Sequence, residues 1–549
     1  MKIKNYLSII ILIFLLFFSC SKNTERKKRV VIGIPADIET LNPLYTMNIN
    51  EGRISELIYL GLVGHKWDEN EGNVSSYPLI AKTLKWNTKH NALEVKLKDD
   101  VVWSDGEKLT TEDVVFSFDV YSDPEVQSRF FDMFDNYYLK SDKQIDLEKS
   151  FEVISKDSLI IHFRTSAANL FDVDMPLLPK HKFEGLKRSE YNTSQLNFQP
   201  VGTGPYKLKN WLRNEKIVLE KNKSSFLANK EMIDNLIFKV VPDYNSRLIQ
   251  LKKGDIDFTD DVRPEDLVDL KKSENLETVI IKGRTYDYIG WSNIDQKLWN
   301  DKKIVRPHKL FGNPVIRKAL TMAIDRKLII DEFLNGAADL AVGPVSPIFK
   351  NFIDSEIKPL PYNPVKAKEI LNGEGWKDTN GNGTLDKNGN EFEFVLNIPG
   401  NNPRRKYSAN IIKENLKQIG IDVTVQPQEP NIFFNNMFGK KLEAWIAGWV
   451  VPIPIDLKPY WHSDLEKYFA NCSGYQNKKV DELLEKLETG PDEKTQASIY
   501  KQIQRLIHKD QPVTFLFWIN NITAYNKKIK NIAIDPLGSV QRCWEWRLD

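Results

Sequence analysis

Residues 93–121, LEVKLKDDVVWSDGEKLTTEDVVFSFDVY, constrain the fold more than any other stretch, because signals of two different periods follow one another within it. Leu93, Val95 and Leu97 alternate with Glu94, Lys96 and Lys98, the period of a half-buried strand. Asp105-Gly106 turns the chain, since glycine accepts the backbone angles of a tight turn. Thr110 stands three residues before Asp113, a loose helix capping box. Val114, Val115, Phe118 and Tyr121 then recur at helical spacing and predict a core-facing stripe.

The chain has 549 residues, enough for two or three cores. Its 77 basic and 75 acidic residues leave a net charge of +2, too weak a field to imply a nucleic-acid partner. Lys2 and Lys4 precede a continuous apolar run at residues 6–18, interrupted only by Ser8. Thirteen residues are too short to span a bilayer as a helix, so the segment reads as a cleaved export signal. Ser19-Cys20 and a polar tether follow, and this resembles the lipobox of bacterial lipoproteins, in which the new N-terminal Cys20 is acylated. Phe17 and Phe18 stand where that pattern has Leu and a small residue, and Leu15 and Leu16 are displaced upstream. The expectation is an exported protein, lipid-anchored to the membrane, in the periplasm or on the cell surface. Export makes a disulfide between Cys472 and Cys543 chemically permissible, but unpaired buried thiols are the expectation.

Along the chain, strand and helix patterns alternate. Residues 30–34 form a first apolar strand and 54–62 a short helix. VGTGPY at 201–206 sets two glycines and a proline in a constrained path, and no Lys-Ser/Thr follows that would make it a phosphate loop. Residues 233–242 (strand), 244–253 (helix) and 254–258 (strand) predict a beta-alpha-beta unit and an alpha/beta domain with a mixed sheet. Asn313-Pro314 opens a strongly patterned helix, with Asn as cap and Pro in the first turn, running to a stop at Gly336. Helices at 480–487 and 497–508 precede the apolar strand VTFLFW at 513–518.

Several of these stretches, in this order, resemble the bacterial extracellular solute-binding proteins of family 5, the peptide and nickel binders of ABC importers. The carriers are T-L-N-P at 40–43, YPLIAKTLKW at 77–86, W-S-D-G with the helix after it, G-T-G-P-Y, the text VIRKALTMAIDRKLIIDEFLNG, and PVKAKEILNGEGW at 364–376. The resemblance implies an α/β, periplasmic-binding-protein-like type II fold: two lobes with mixed sheets, hinged by two strands, with a small domain inserted in the first lobe. The implied boundaries are a signal peptide at 1–19 and a tether at 20–29. The first lobe takes 30–75, 200–285 and 516–549, the inserted domain 76–199, and the second lobe 286–515.

The binding stretch implied by the resemblance is LEAWIAGWVVPIPIDLKPYWHS at 442–463, with Gly448 and Trp449 as its cleft-lining pair. Many peptide binders of the family place an Asp three residues after that tryptophan to meet the peptide ammonium. Here Pro452 stands there, residues 450–455 are uncharged, and the next acid is Asp456. Tyr45, after the first strand, and Asn293, at the end of YDYIGWSN, are further ligand-binding candidates; packing in the core is the alternative for Trp449. Asp378, Asn380, Asn382 and Gly383 fall at calcium-loop spacing, but the twelfth position is Gly389 rather than Glu, and a Gly/Asn-rich turn is the rival reading. The seven histidines form no H-E-x-x-H pair and there is no G-x-S-x-G, so nothing points to an enzyme. No cofactor is implied. The expected function is a monomeric substrate-binding lipoprotein of an ABC importer that closes on an oligopeptide-like solute and delivers it to a membrane permease. The alternatives are the same fold taking an oligosaccharide, a haem or metal chelate or an apolar nutrient, or a ligand-sensing receptor not coupled to import.

Overall fold

The computed structural model describes residues 28–549 except 88, 90 and 132, so the export segment and Cys20 lie outside the described residues. No helix among the described residues is long and apolar enough to cross a membrane.

One sheet of eleven strands runs through both lobes. Two long antiparallel strands, Leu276–Trp291 and Val513–Asn526, form its middle and pass from one lobe to the other. Their pairing breaks register between Ile281 and Thr285, and there a Cβ on Gly283 would stand 2.0 Å from the Ile519 carbonyl oxygen. Only glycine fits so close a backbone approach. On one side of this break Phe258–Thr259, Arg29–Ile34 and Asn235–Val240 lie parallel, extended by the hairpin Tyr206–Leu212 and Lys216–Lys221. On the other side, Ala444–Val450, Glu393–Pro399 and Asp422–Gln428 lie parallel to one another.

A separate four-stranded sheet, ordered Ala81–Asn87, Ala92–Leu97, Ser158–His162, Phe151–Ser155, carries the helix Thr111–Ser122. The capping box is present, with Asp113 reaching back to the Thr110 amide at 2.9 Å. Leu93, Val95, Leu97, Val114, Phe118 and Tyr121 are all buried in one core, and Phe118 sits 5.4 Å from the Phe151 ring and 5.8 Å from Tyr137. Truncating such a buried ring to Ala costs about 3–5 kcal/mol, so this core is a substantial share of the domain's stability.

Two local readings change. The helix expected at 54–62 is Ile49–Ile58, because Asn48 and Glu51 form a capping box that starts it earlier. The single helix expected from Asn313 to Gly336 is two, Pro314–Met322 and Arg326–Phe333, because the Asp325 side chain caps Leu328 N and restarts the helix. The glycines of VGTGPY make room for a helix end. A Cβ on Gly202 would stand 1.9 Å from the Ile58 carbonyl oxygen and one on Gly204 2.3 Å from that of Leu57. The Gly204 amide donates to Ile58 O at 2.8 Å, satisfying a carbonyl that the helix Ile49–Ile58 leaves free. Cys472 and Cys543 are free and buried, in different cores.

Candidate solute-binding cleft

In both lobes the parallel strands direct their carboxyl ends toward the crossing between the lobes. Thr259 pairs with Ala524 and Val450 with Thr285, each on the crossing side of its strand. In open alpha/beta sheets ligands bind in the crevice outside the carboxyl ends of the strands. The loops at those ends, residues 35–48, 241–243 and 260–263 in one lobe and 400–402 and 451–457 in the other, therefore define the cleft.

The first lobe brings charge to it. Arg53 Nη1 pairs with Asp260 Oδ2 at 2.7 Å, and the Ser539 hydroxyl donates to the same oxygen at 2.5 Å. One turn along the helix Ile49–Ile58, Glu56 keeps accessible surface, yet burial pushes its pKa up to about 7. Asp174 adds to the rise, and Arg129, Arg53 and His65 oppose it.

The second lobe supplies an aromatic and apolar wall. Trp449 is half-buried, with its ring 4.8 Å from Tyr460 and 5.9 Å from Phe438. With Tyr286, Tyr288, Tyr460 and Trp461 it lines a narrow cavity of about 10 Å³. Trp449 pairs with Tyr286 and Gly448 with Asp287 on the neighbouring strand. Asp287 is fully buried between two arginines, Arg404 Nε at 2.8 Å and Arg405 Nη2 at 3.0 Å. Burial works against its charge, but Arg405 and Arg404 outweigh it and hold the carboxyl below its ordinary range. Gly448 is the clearance for this cluster: a Cβ there would stand 2.5 Å from Asp287 Oδ1. Asp456 is exposed and accepts the Lys458 amide at 3.0 Å, while the Lys458 ammonium turns to Glu488 at 2.6 Å. Nearby protein limits hydration of the Asp456 carboxyl and raises its pKa, and Glu488 adds to the rise.

Two sequence candidates have side chains engaged elsewhere: Tyr45 belongs to the cleft loop at 35–48, and Asn293 does not. Tyr45 packs against the core of the four-stranded sheet and donates to Val126 O at 3.2 Å, which fixes it as an anchor between segments. Asn293 follows the far end of the strand Leu276–Trp291, away from the crossing, and its amide donates to Trp291 O and Pro512 O at 2.7 and 2.9 Å. The loop at 378–389 precedes the amino end of Glu393–Pro399, also away from the cleft. Asp378 accepts the amides of Gly381 and Gly383 there, Asn380 that of Asn382, and Asn382 that of Thr384. Sequence reasoning missed Asp287, Arg404, Arg405 and Glu56. For Asp287 there was a signal: it is the lone acid in the apolar run YDYIGW, and a charge in a buried strand demands a partner.

Residues 76–468 match the profile of the bacterial extracellular solute-binding proteins, family 5. The chain belongs to that family. It is 30% identical to the oligopeptide-binding protein AppA of Bacillus subtilis (strain 168), over 99% of this chain and 98% of the relative. The structure of B. subtilis AppA in complex with a nonapeptide superposes with a TM-score of 0.73 at 29% identity, covering 95% of this chain and 99% of that one. NikZ from Campylobacter jejuni in complex with Ni(L-His) gives a TM-score of 0.73 at 25% identity, with the same coverage. This family member thus has the two-lobed, type II binding-protein fold.

Proposed function

We propose that this solute-binding protein captures oligopeptides in the cleft between its lobes and hands them to a membrane permease of an ABC importer. The observation that carries the reading is the convergence of carboxyl-end loops from both lobes on one crossing, with Trp449 and its aromatic wall on one side and the Arg53–Asp260 pair on the other. The oligopeptide-binding name of the 30% identical relative supports the ligand class. The boundaries given above divide the chain in this reading, residues 1–19 direct export, and acylated Cys20 holds the monomer at the membrane. Trp449 stacks on the ligand, Gly448 keeps the wall flat behind it, and Asp456 stands at its edge.

The apolar run at 450–455 shapes recognition. Burying a peptide ammonium there costs several kcal/mol without an opposite charge, and Pro452 supplies none. The segment therefore packs on an uncharged part of the ligand, and Asp456, anchored by its bond to the Lys458 amide, is not an ammonium clamp. Calorimetry with matched peptides tests this. Oligopeptides bind, N-acetylation changes affinity by less than a few-fold, and Asp456→Asn does little. A loss of tenfold or more on acetylation, about 1.4 kcal/mol, mirrored by Asp456→Asn, would restore a charged anchor. Binding of a nickel–histidine chelate with no oligopeptide binding would refute the ligand class.

A further inference from the structure

We propose that Arg284 anchors a carboxylate of the bound solute at the point where the chain crosses between the lobes. This rests on the cleft being the solute site and names one contact within it.

Arg284 follows Gly283 in the register break of the crossing strand. Its carbonyl accepts the Val451 amide at 2.9 Å, and its Nη1 donates back to Val451 O at 2.6 Å. The guanidinium is therefore fixed at the start of the apolar cleft segment 450–455. That bond uses one of five N–H donors. Among the described residues no acidic side chain pairs with it, and burial alone lowers its pKa. The other buried arginines differ. Arg247 donates to Val241 O and pairs with Asp261 at 2.5 Å. Arg317 donates to Gln511 O, Phe311 O and Asp510 O. Arg326 donates to Ala341 O, Phe515 O and Leu360 O. Arg404 and Arg405 share Asp287. Arg284 alone in this set keeps a half-buried charge with open donors beside the binding wall. A planar fork of donors in a water-poor site matches the two oxygens of a carboxylate. In an oligopeptide that group is the C-terminal carboxylate or an acidic side chain.

The test uses N-acetylated nonapeptides of Ala, Val and Leu in three forms: free acid, C-terminal amide, and amide with one internal Glu. Wild type is expected to bind the acid at least tenfold tighter than the plain amide. The difference disappears in Arg284→Gln and shrinks in Arg284→Lys, which keeps the charge but loses the fork. Recovery of affinity by the Glu-containing amide assigns the carboxylate to a side chain; no recovery assigns it to the C-terminus. Equal binding of acid and amide, unchanged in Arg284→Gln, overturns the anchor and leaves the peptide reading standing. If none of the peptides binds, the peptide reading falls and sodium acetate decides the anchor. Acetate, and not sodium chloride, should then shift the Arg284 Nε–H resonance, assigned by its loss in Arg284→Lys; no shift overturns the proposal. The ligand-free melting temperature of Arg284→Gln should match or exceed that of wild type. A fall in melting temperature with an unchanged acid-to-amide ratio would make the residue structural and also overturn it.

Discussion

Gly448 and Asp287 face each other across paired strands so closely that a Cβ on Gly448 would stand 2.5 Å from Asp287 Oδ1 and 2.7 Å from Arg405 Nη2. The residue next to the cleft tryptophan is thus held to glycine by a buried ion cluster behind it. Gly448→Ala must displace that cluster, and overpacking of this kind costs about 1–3 kcal/mol. Urea unfolding should show the loss; wild-type stability in Gly448→Ala would contradict the close approach.

Asp287 sets an acid limb. Its folded pKa lies below the ordinary 3.8, so its contribution to stability is full above that value and is lost as pH falls through the folded pKa. Asp287→Asn should lose about 3–5 kcal/mol at neutral pH, as expected when one partner of a buried pair is removed. Its acid unfolding curve should be flatter than that of wild type. A wild-type acid limb in Asp287→Asn would show that the pair is not what acid breaks.

Glu56 acts with the opposite sign. Between its ordinary 4.5 and about 7 the folded chain keeps a proton that the unfolded chain has released, so stability falls as pH rises across that window. His308, lowered to about 4 by burial, gives a contribution that rises with pH over an overlapping window. The difference between wild type and Glu56→Gln therefore isolates the Glu56 slope. Thermal unfolding from pH 4 to 8 should show the Glu56→Gln advantage growing with pH; a constant difference would place Glu56 in open solvent.

The lobes also touch away from the crossing. The hairpin of Val63–Asp68 and Asn73–Pro78 meets the second lobe, where Lys350 Nζ donates to Glu69 O and Asn351 Nδ2 donates to Glu71 Oε2 at 2.8 Å. The Asn73 amide reaches Glu493 at 3.2 Å, and Trp67 sets its edge on Phe349 at 5.8 Å. These bonds span the two lobes, so they are expected to favour closure without touching ligand. Two net hydrogen bonds of about 0.5–1.5 kcal/mol each imply that the pair Lys350→Ala and Asn351→Ala weakens ligand binding roughly 5- to 150-fold. The loss should appear chiefly as faster release; unchanged affinity would mean that the contact adds nothing to closure.

What the sequence disclosed depended on how far apart the partners lie. The strand-turn-helix at 93–121 was legible because alternation, the Asp105-Gly106 turn and the Thr110–Asp113 cap are all local. The break at Asp325 was not, because the apolar stripe continues through it and the cap there interrupts an otherwise good helix. Tyr45 and Asn293 were placed by their position after a strand, and only long-range bonds to Val126 and Pro512 show where their side chains go. The Asp287 cluster joins residues 117 and 118 positions apart, and Arg284 draws its meaning from partners it lacks, so neither could be read from spacing.

Amide hydrogen exchange with and without a saturating oligopeptide tests the two-lobed cleft most directly. The expected result is simultaneous protection of the loops at 260–263 and 35–48 in one lobe and at 400–402 and 451–457 in the other, because a ligand at the crossing contacts both. Protection confined to one lobe, or centred on the outer groove lined by Gln296, Asn300, Asn397, Gln428 and Glu443, would contradict it.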